Sequence, residues 1–186
     1  MSTTHLLQTT RLRLRQWQDK DLEPLAALNA DEEVMEFFPA TLDYKESQKA
    51  ATKYKSKIEE NGWGFWVSER LNDGAFMGIV GLNRVDDLPI GDYVEVGWRL
   101  AKPFWGFGYA SEAASACLDF AFKELALEEV VAITTVNNVR SRAVMERLGM
   151  YDSGENFAHP KVEAASGLKE HVLYKISRDR FEQSAS

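Results

Sequence analysis

Cysteine is all but missing from this chain. Cys117 is the only one, which excludes an intrachain disulfide and a thiolate zinc cluster and predicts a reducing, cytoplasmic setting. Its apolar neighbours predict a buried core thiol, not a nucleophile. Histidine is scarce as well, at three residues, and two isolated histidines near the carboxyl terminus, His159 and His171, make a weak metal or base signal; no metal site is predicted. Positive charge is in the minority, 22 basic against 29 acidic residues for a net charge of -7. That balance excludes the broad basic face of a nucleic-acid binder and makes a basic protein or a cationic small molecule the easier partner. No stretch of ~18 consecutive apolar residues occurs, and the amino terminus lacks a basic segment followed by an apolar run. A soluble, unexported protein without membrane contact is expected. There is no internal repeat, linker or low-complexity tract, and with 45% hydrophobic residues the 186 residues suit one compact domain over 1–186.

What is present reads as an α+β pattern. Leu12 and Leu14 alternate with arginines, as in a short strand with one buried face. Asp19 has the place of a helix N-cap, and Leu22, Leu25 and Leu28 recur at helical spacing over 21–29. A charged helix is predicted over 44–60, after the breaks at Pro39 and Asp43. Three aromatic or β-branched runs, 63–69, 76–84 and 93–100, are separated by turn residues and read as antiparallel strands. The second half differs. Ala110, Ala113, Ala114, Cys117, Phe120 and Ala121 form a small-residue stripe predicting a central helix over 108–125. A buried strand over 130–136 follows, then a helix over 138–148 stopped by Gly149, and two closing strands at 151–157 and 171–176 that complete a mixed sheet. The stretch 161–169 reads as a loop.

Most chemical information lies in Glu95-Val-Gly-Trp-Arg-Leu-Ala-Lys-Pro-Phe-Trp-Gly-Phe-Gly-Tyr-Ala-Ser-Glu112, a strand passing through a glycine turn into a helix. Gly106 and Gly108 lack a Cβ, so backbone N–H groups can approach a ligand, and a helix start adds free donors and partial positive charge. A pyrophosphate suits such a place. Gly106-Phe-Gly-Tyr-Ala-Ser111 also approximates a dinucleotide fingerprint. Context opposes that reading: Glu128 and Glu129 precede the next strand instead of ending it, and the turn follows antiparallel strands instead of opening a βαβ unit.

Taken with Asn138-Val-Arg-Ser-Arg-Ala-Val-Met-Glu-Arg-Leu-Gly149-Met150 and the Thr10-Arg-Leu-Arg-Leu opening, the segment resembles the GNAT acetyltransferase superfamily, in particular its RimJ/RimL-type branch. The resemblance covers nearly the whole chain. It implies an α+β GNAT fold: a central, mostly antiparallel twisted sheet of about six to seven strands, splayed in the middle and flanked by about four helices. It implies acetyl-CoA as cosubstrate, lying between the strand ending at Leu100 and the strand from Val130. Trp98, Arg99 and Leu100 are then assigned to pantetheine and acetyl contacts, Phe104, Trp105, Gly106, Phe107, Gly108, Tyr109 and Ala110 to the pyrophosphate, and Asn138 to the pantetheine chain. Lys102 and Arg142 are candidate phosphate contacts. Pro103 stands where the superfamily often has Gln or Arg, so the backbone must suffice there.

For transfer to an amine, Glu95 is the candidate general base, alone or through water. A tyrosine that many members carry to protonate the departing thiolate is replaced here by Met145; Ser141 is the remaining nearby hydroxyl and the candidate thiolate stabiliser, or simply the N3 residue of a helix capped by Asn138. Phe37, Phe38, Trp63, Phe65 and Trp66 are candidates for lining an acceptor pocket, with Glu32, Glu33 or Glu36 attracting a cationic substrate. The expected function is an N-acetyltransferase acting on a primary amine, with a protein N-terminus suggested by the branch. Alternatives are acetylation of a small amine, or a non-catalytic acyl-CoA sensor. Monomer and homodimer are both open.

Overall fold

A computed structural model describes residues 4–184. Among them the long strands fall where alternation and β-branching place them: β2 (Leu12–Arg15), β3 (Phe65–Arg70), β4 (Phe76–Val85), β5 (Tyr93–Leu100), β6 (Glu129–Thr135) and β9 (Glu170–Ser177). Three two-residue strands extend the count to nine: β1 (Leu7–Gln8), β7 (Tyr151–Asp152) and β8 (Phe157–Ala158). The helices are α1 (Leu22–Ala30), α2 (Tyr44–Asn61), α3 (Tyr109–Lys123), α4 (Val139–Arg147) and α5 (Arg178–Ser184). They join one sheet in the order β1-β2-β3-β4-β5-β6-β9-β7, with β8 also on β9.

The differences from expectation have local causes. The strand foreseen over 151–157 is cut in two because Gly154 is left-handed, at φ +74°, and its N–H donates to Asp152 Oδ1 at 3.0 Å. β1 exists because Thr9 turns the chain back, its Oγ1 accepting from Leu12 N at 3.0 Å. Asp19 lies in a 3-10 turn ahead of α1 instead of capping it, and Asp21 is drawn inward to Arg15. α2 begins as its sequence dictates, in a reciprocal box where Asp43 and Glu46 each accept the other's backbone N–H at 2.8 Å.

The pleat assigns the two faces. Phe65, Gly81 and Gly97 share one row, facing α2 through the Tyr54–Phe65 edge contact at 5.6 Å. Trp66, Val80 and Trp98 share the next row, facing α3 through Trp66–Phe120 at 5.8 Å. Small residues Ala113, Ala114, Cys117 and Ala121, all fully buried, let α3 lie close on the sheet. Glu95 and Arg99 therefore point to the α1/α2 face, Trp98 and Leu100 to the α3/α4 face.

The sheet divides between β5 and β6. β5 pairs with β4 along its whole length, Tyr93↔Val85 to Leu100↔Gly78, and β6 pairs with β9 from Glu129↔Ser177 to Thr135↔His171. Between themselves the two parallel strands share a single register pair, Glu95↔Val131. Beyond it they part, opening a V toward their carboxyl ends.

Candidate active site

A cavity of about 770 Å³ occupies the mouth of that V. β5 contributes Trp98, Arg99 and Leu100; the turn and first turn of α3 contribute Phe104, Trp105, Gly106, Gly108, Tyr109, Ala110 and Ser111. Asn138, Val139, Arg140, Ser141, Ala143, Val144 and Arg147 line it from α4 and its cap, and Val34, Phe37 and Phe38 from the segment between α1 and α2. No Asp or Glu is among these residues.

The turn is built to leave donors free. Residues 102–104 form a 3-10 turn in which Phe104 N donates to Ala101 O at 2.9 Å and Trp105 N to Lys102 O at 3.1 Å. Gly106 and Gly108 then take φ of +82° and +79°, and Gly108 is the N-cap of α3. A Cβ at Gly106 would meet no atom within 4 Å, so the backbone angle and not crowding requires glycine there. Helix pairing resumes with Glu112 N to Gly108 O at 3.0 Å. The six amides from Gly106 to Ser111 have no backbone acceptor. Buried Ser111 Oγ also lacks a partner. This is a nest for an anion, strengthened by the helix dipole. Arg11 braces it from below: its Nε pairs with Glu112 Oε2 at 2.6 Å and its Nη2 donates to Phe107 O at 3.0 Å.

On the other arm of the V, Asn138 Oδ1 accepts from Ser141 N at 3.2 Å, while its Nδ2 donates to Thr134 Oγ1 at 2.9 Å. Trp98 Nε1 donates to Ser141 Oγ at 3.1 Å. Ser141 thus accepts from the indole and keeps its own proton for a group in the cavity. Glu95 stands at the vertex, half-buried, with Asn83 Nδ2 donating to its Oε1 at 3.0 Å. Burial pushes its pKa up, Asp87 adds to the rise, and the Asn83 bond opposes it.

Residues 11–151 match the profile described as Acetyltransferase (GNAT) domain. The chain belongs to the GNAT acetyltransferase family. This GNAT protein is 32% identical over 149 residues to the uncharacterized N-acetyltransferase YnaD of Bacillus subtilis (strain 168), covering 80% of this chain and 84% of that one. It is 30% identical over 184 residues to the FsC-acetyl coenzyme A-N(2)-transacetylase of Aspergillus fumigatus, covering 94% and 77%. Among solved structures, a GNAT-family acetyltransferase from Bacillus anthracis superposes with a TM-score of 0.79 at 23% identity, covering 94% of this chain and 99% of that one. RimL, a ribosomal L7/L12 alpha-N-protein acetyltransferase in complex with coenzyme A, superposes with a TM-score of 0.76 at 16% identity, covering 95% and 99%. GNAT acetyltransferases are acyltransferases that use acetyl-CoA. The run of free amides and the orphaned Ser111 hydroxyl fit the diphosphate of that cosubstrate, an anion with many acceptors and no donors.

The GNAT cavity gathers most of the residues singled out in the sequence and leaves some aside. Glu95 is at the vertex, outside the lining residues. The Phe107 side chain projects outward, 61% exposed, with its ring 5.9 Å from that of Tyr109, while its carbonyl accepts from Arg11 and its amide stays in the turn. Arg142 faces away on α4, its Nε donating to Tyr174 Oη at 3.2 Å and its Nη1 to Val136 O at 3.1 Å. Lys102 pairs with Glu33 at 2.6 Å and Arg140 with Glu36 at 2.5 Å, so those acids tie the 31–38 segment across the mouth. Of the five aromatics considered for the acceptor, Phe37 and Phe38 line the cavity; Trp66 is fully buried in the core, and Trp63 and Phe65 are packed under α2 or against the core. His159 and His171 lie against each other, ring centres 4.8 Å apart, on the β8–β9 edge. Ser111 and Arg147 were passed over in the sequence. Arg147 is four residues beyond Ala143 and eight beyond Val139, on the helical face those two share, a spacing that was readable.

Proposed function

We propose that this chain transfers the acetyl group of acetyl-CoA directly to a primary amine, with a protein or peptide α-amine as the acceptor class. The observation that carries the reading is the bank of free amides from Gly106 to Ser111 at the open end of a V whose strands meet at one residue pair. In this reading the diphosphate rests on those amides, and the pantetheine chain runs between β5 and β6. It takes up the strand-edge polar groups that the split leaves without a ladder partner. The thioester then lies near Trp98, and a backbone N–H of β5 meets the developing oxyanion.

The amine nitrogen attacks the thioester carbon, the C–S bond breaks, and the products are an N-acetyl amine and coenzyme A thiol. Two proton transfers are needed. Glu95 takes the proton that the attacking amine loses, through water, since its carboxylate lies behind the lining residues. Ser141, which already accepts from the Trp98 indole, donates a hydrogen bond to the departing thiolate, which then takes up the proton Glu95 received, returned through water, so that both groups end as they began. A protein α-amine, with pKa near ~8, is about a tenth neutral at pH 7, whereas lysine near ~10.4 is almost wholly protonated. A single carboxylate base suits the former. The name of RimL carries a protein acceptor, whereas that of the FsC transacetylase carries an N(2) transfer and no protein, so the test must admit acceptors of both kinds. Isotopically labelled acetyl-CoA and enzyme added to a cell extract should label protein N-termini; labelling confined to metabolites refutes the acceptor class, and no labelling refutes the transfer.

A further inference from the structure

Two arginines are taken out of water on this fold's inner surfaces, and they are treated in opposite ways. Arg15, 6% exposed, is held by two carboxylates: Asp21 at 2.8 Å and Glu69 at 2.7 Å. Arg99 has none. Its buried Nε has no hydrogen-bond partner. Nη1 donates to the thioether of Met35 at 3.2 Å, and the guanidinium carbon lies 4.9 Å from the centre of the Phe38 ring. The Tyr54 hydroxyl is the neighbouring polar group. A thioether, a π-face and a phenol do not replace a counter-ion, and burial accordingly pushes the Arg99 pKa down.

Position gives this deficit a meaning. Arg99 lines the cavity together with Val34 and Phe38, whereas Trp98 and the Ser141 it bonds belong to the opposite face of the sheet. If the donor lies on the amides of the α3 turn and along the strand edge, the α1/α2 face is left to the acceptor. On that face the wall holds an unpaired, fork-shaped donor and no acid. Glu33 and Glu36, the acids that would attract a cation, are consumed by Lys102 and Arg140.

We propose that Arg99 is the specificity residue for the acceptor and receives a carboxylate of the amine substrate, so that the preferred acceptor is an amine that also carries a carboxylate group. The inference rests on the acetyl-transfer step proposed above and not on the protein or peptide acceptor class. A planar guanidinium that lines the cavity and has no carboxylate of its own matches a substrate carboxylate, and only a bound substrate completes the pair. The carboxylate has two sources, the main-chain carboxylate of a free amino acid or the side chain of an acidic first residue in a peptide.

The test uses matched acceptors at saturating acetyl-CoA: free amino acids against their amides, and peptides beginning with Asp or Glu against those beginning with Asn or Gln. A charge-assisted pair is worth roughly a 10- to 100-fold preference in kcat/KM for the carboxylate member. Whichever pair shows it identifies the source. Arg99→Met should bring that ratio close to one, and Arg99→Lys should retain part of it. Because Arg99 lacks a counter-ion, Arg99→Met should also melt no lower than the parent, which separates lost recognition from lost folding. A parental ratio near one in both pairs, or a ratio that survives Arg99→Met, overturns the proposal. Calorimetric titration of two product pairs into the coenzyme A-loaded protein, N-acetylalanine against N-acetylalaninamide and the α-amides of N-acetylglutamate against N-acetylglutamine, reads the preference for each source without turnover. A preference there with no thiol release from any amine sinks acetyl transfer and keeps the role of Arg99; turnover with no preference does the reverse.

Discussion

Replacing Glu95 with Gln separates the proposed base from a merely structural carboxylate, because the structure fixes two effects of opposite sign. Gln is isosteric and keeps an Oε1 to accept from Asn83 Nδ2, so the contact at 3.0 Å survives. What is lost is a charge that sits half-buried with no cation beside it. Its folded pKa is raised above the unfolded value, so the stability linked to its protonation is present in full below the ordinary Glu range and is lost as pH rises through the raised pKa. At pH 7 Glu95→Gln escapes that loss, and its denaturation midpoint should exceed the parent's, the gap closing toward pH 4. Activity should move the other way. Loss of a positioned base costs on the order of 100-fold or more in kcat/KM. The parent should lose activity as pH falls through the raised pKa, and Glu95→Gln should lack that limb. Its residual rate should instead follow the neutral fraction of the acceptor, rising about tenfold from pH 7 to 9 for an α-amine and about a hundredfold for a lysine amine. Release of coenzyme A thiol measures all of this, since the one cysteine of the chain, Cys117, is fully buried. A kcat/KM within twofold of the parent at pH 7, or an unchanged acidic limb, removes Glu95 from the mechanism.

Ser141→Ala removes the hydroxyl that accepts from Trp98 and the proton offered to the thiolate. A thiol of pKa near ~8.5 leaves without much help, so kcat should fall only about 5- to 10-fold, and an unchanged kcat refutes the role. Gly106→Ala meets no atom but must hold φ +82°, a left-handed strain of roughly 1–2 kcal/mol; calorimetry should show coenzyme A affinity reduced about 5- to 30-fold, and equal affinity would mean the turn is not the cradle. Arg15→Met leaves Asp21 and Glu69 buried without their cation and should cost about 3–5 kcal/mol in urea unfolding, distant from the cavity and without effect on KM of the folded fraction.

The parts of the fold legible in the sequence are those that local physics decides. The alternation of β2, the β-branched run of β6, the small-residue stripe of α3 and the Asn138 cap each act within a few residues, and each element appears within about a turn of its expected place. The cradle was readable for the same reason: Gly106 and Gly108 act through their own backbone angles. What escaped depends on residues distant in the chain. Glu33 and Glu36 lose their expected work as substrate attractors because folding brings Lys102 and Arg140 to them. Trp66 looked like its neighbours in the aromatic run, yet the pleat turns it onto Phe120 in the core. Arg142 and Arg147 are equally basic in the sequence; the helix phase sends the first to Tyr174 and the second to the cavity.

A folded chain normally satisfies its buried polar groups, and of the six side-chain atoms left over among the described residues, two belong to residues that line the cavity. Ser111 Oγ and Arg99 Nε are buried without partners and both line the cavity, one at the phosphate-facing turn and one on the opposite side of the strand. The six free amides belong to the same deficit, as does the single register pair between β5 and β6. Each strand keeps its outer ladder intact, so β4 and β9 hold the V open and the missing bonds between the two arms are not a fault of either. In the proposed reading those unmet hydrogen bonds are completed on binding, by the acetyl donor on one side of β5 and the amine acceptor on the other.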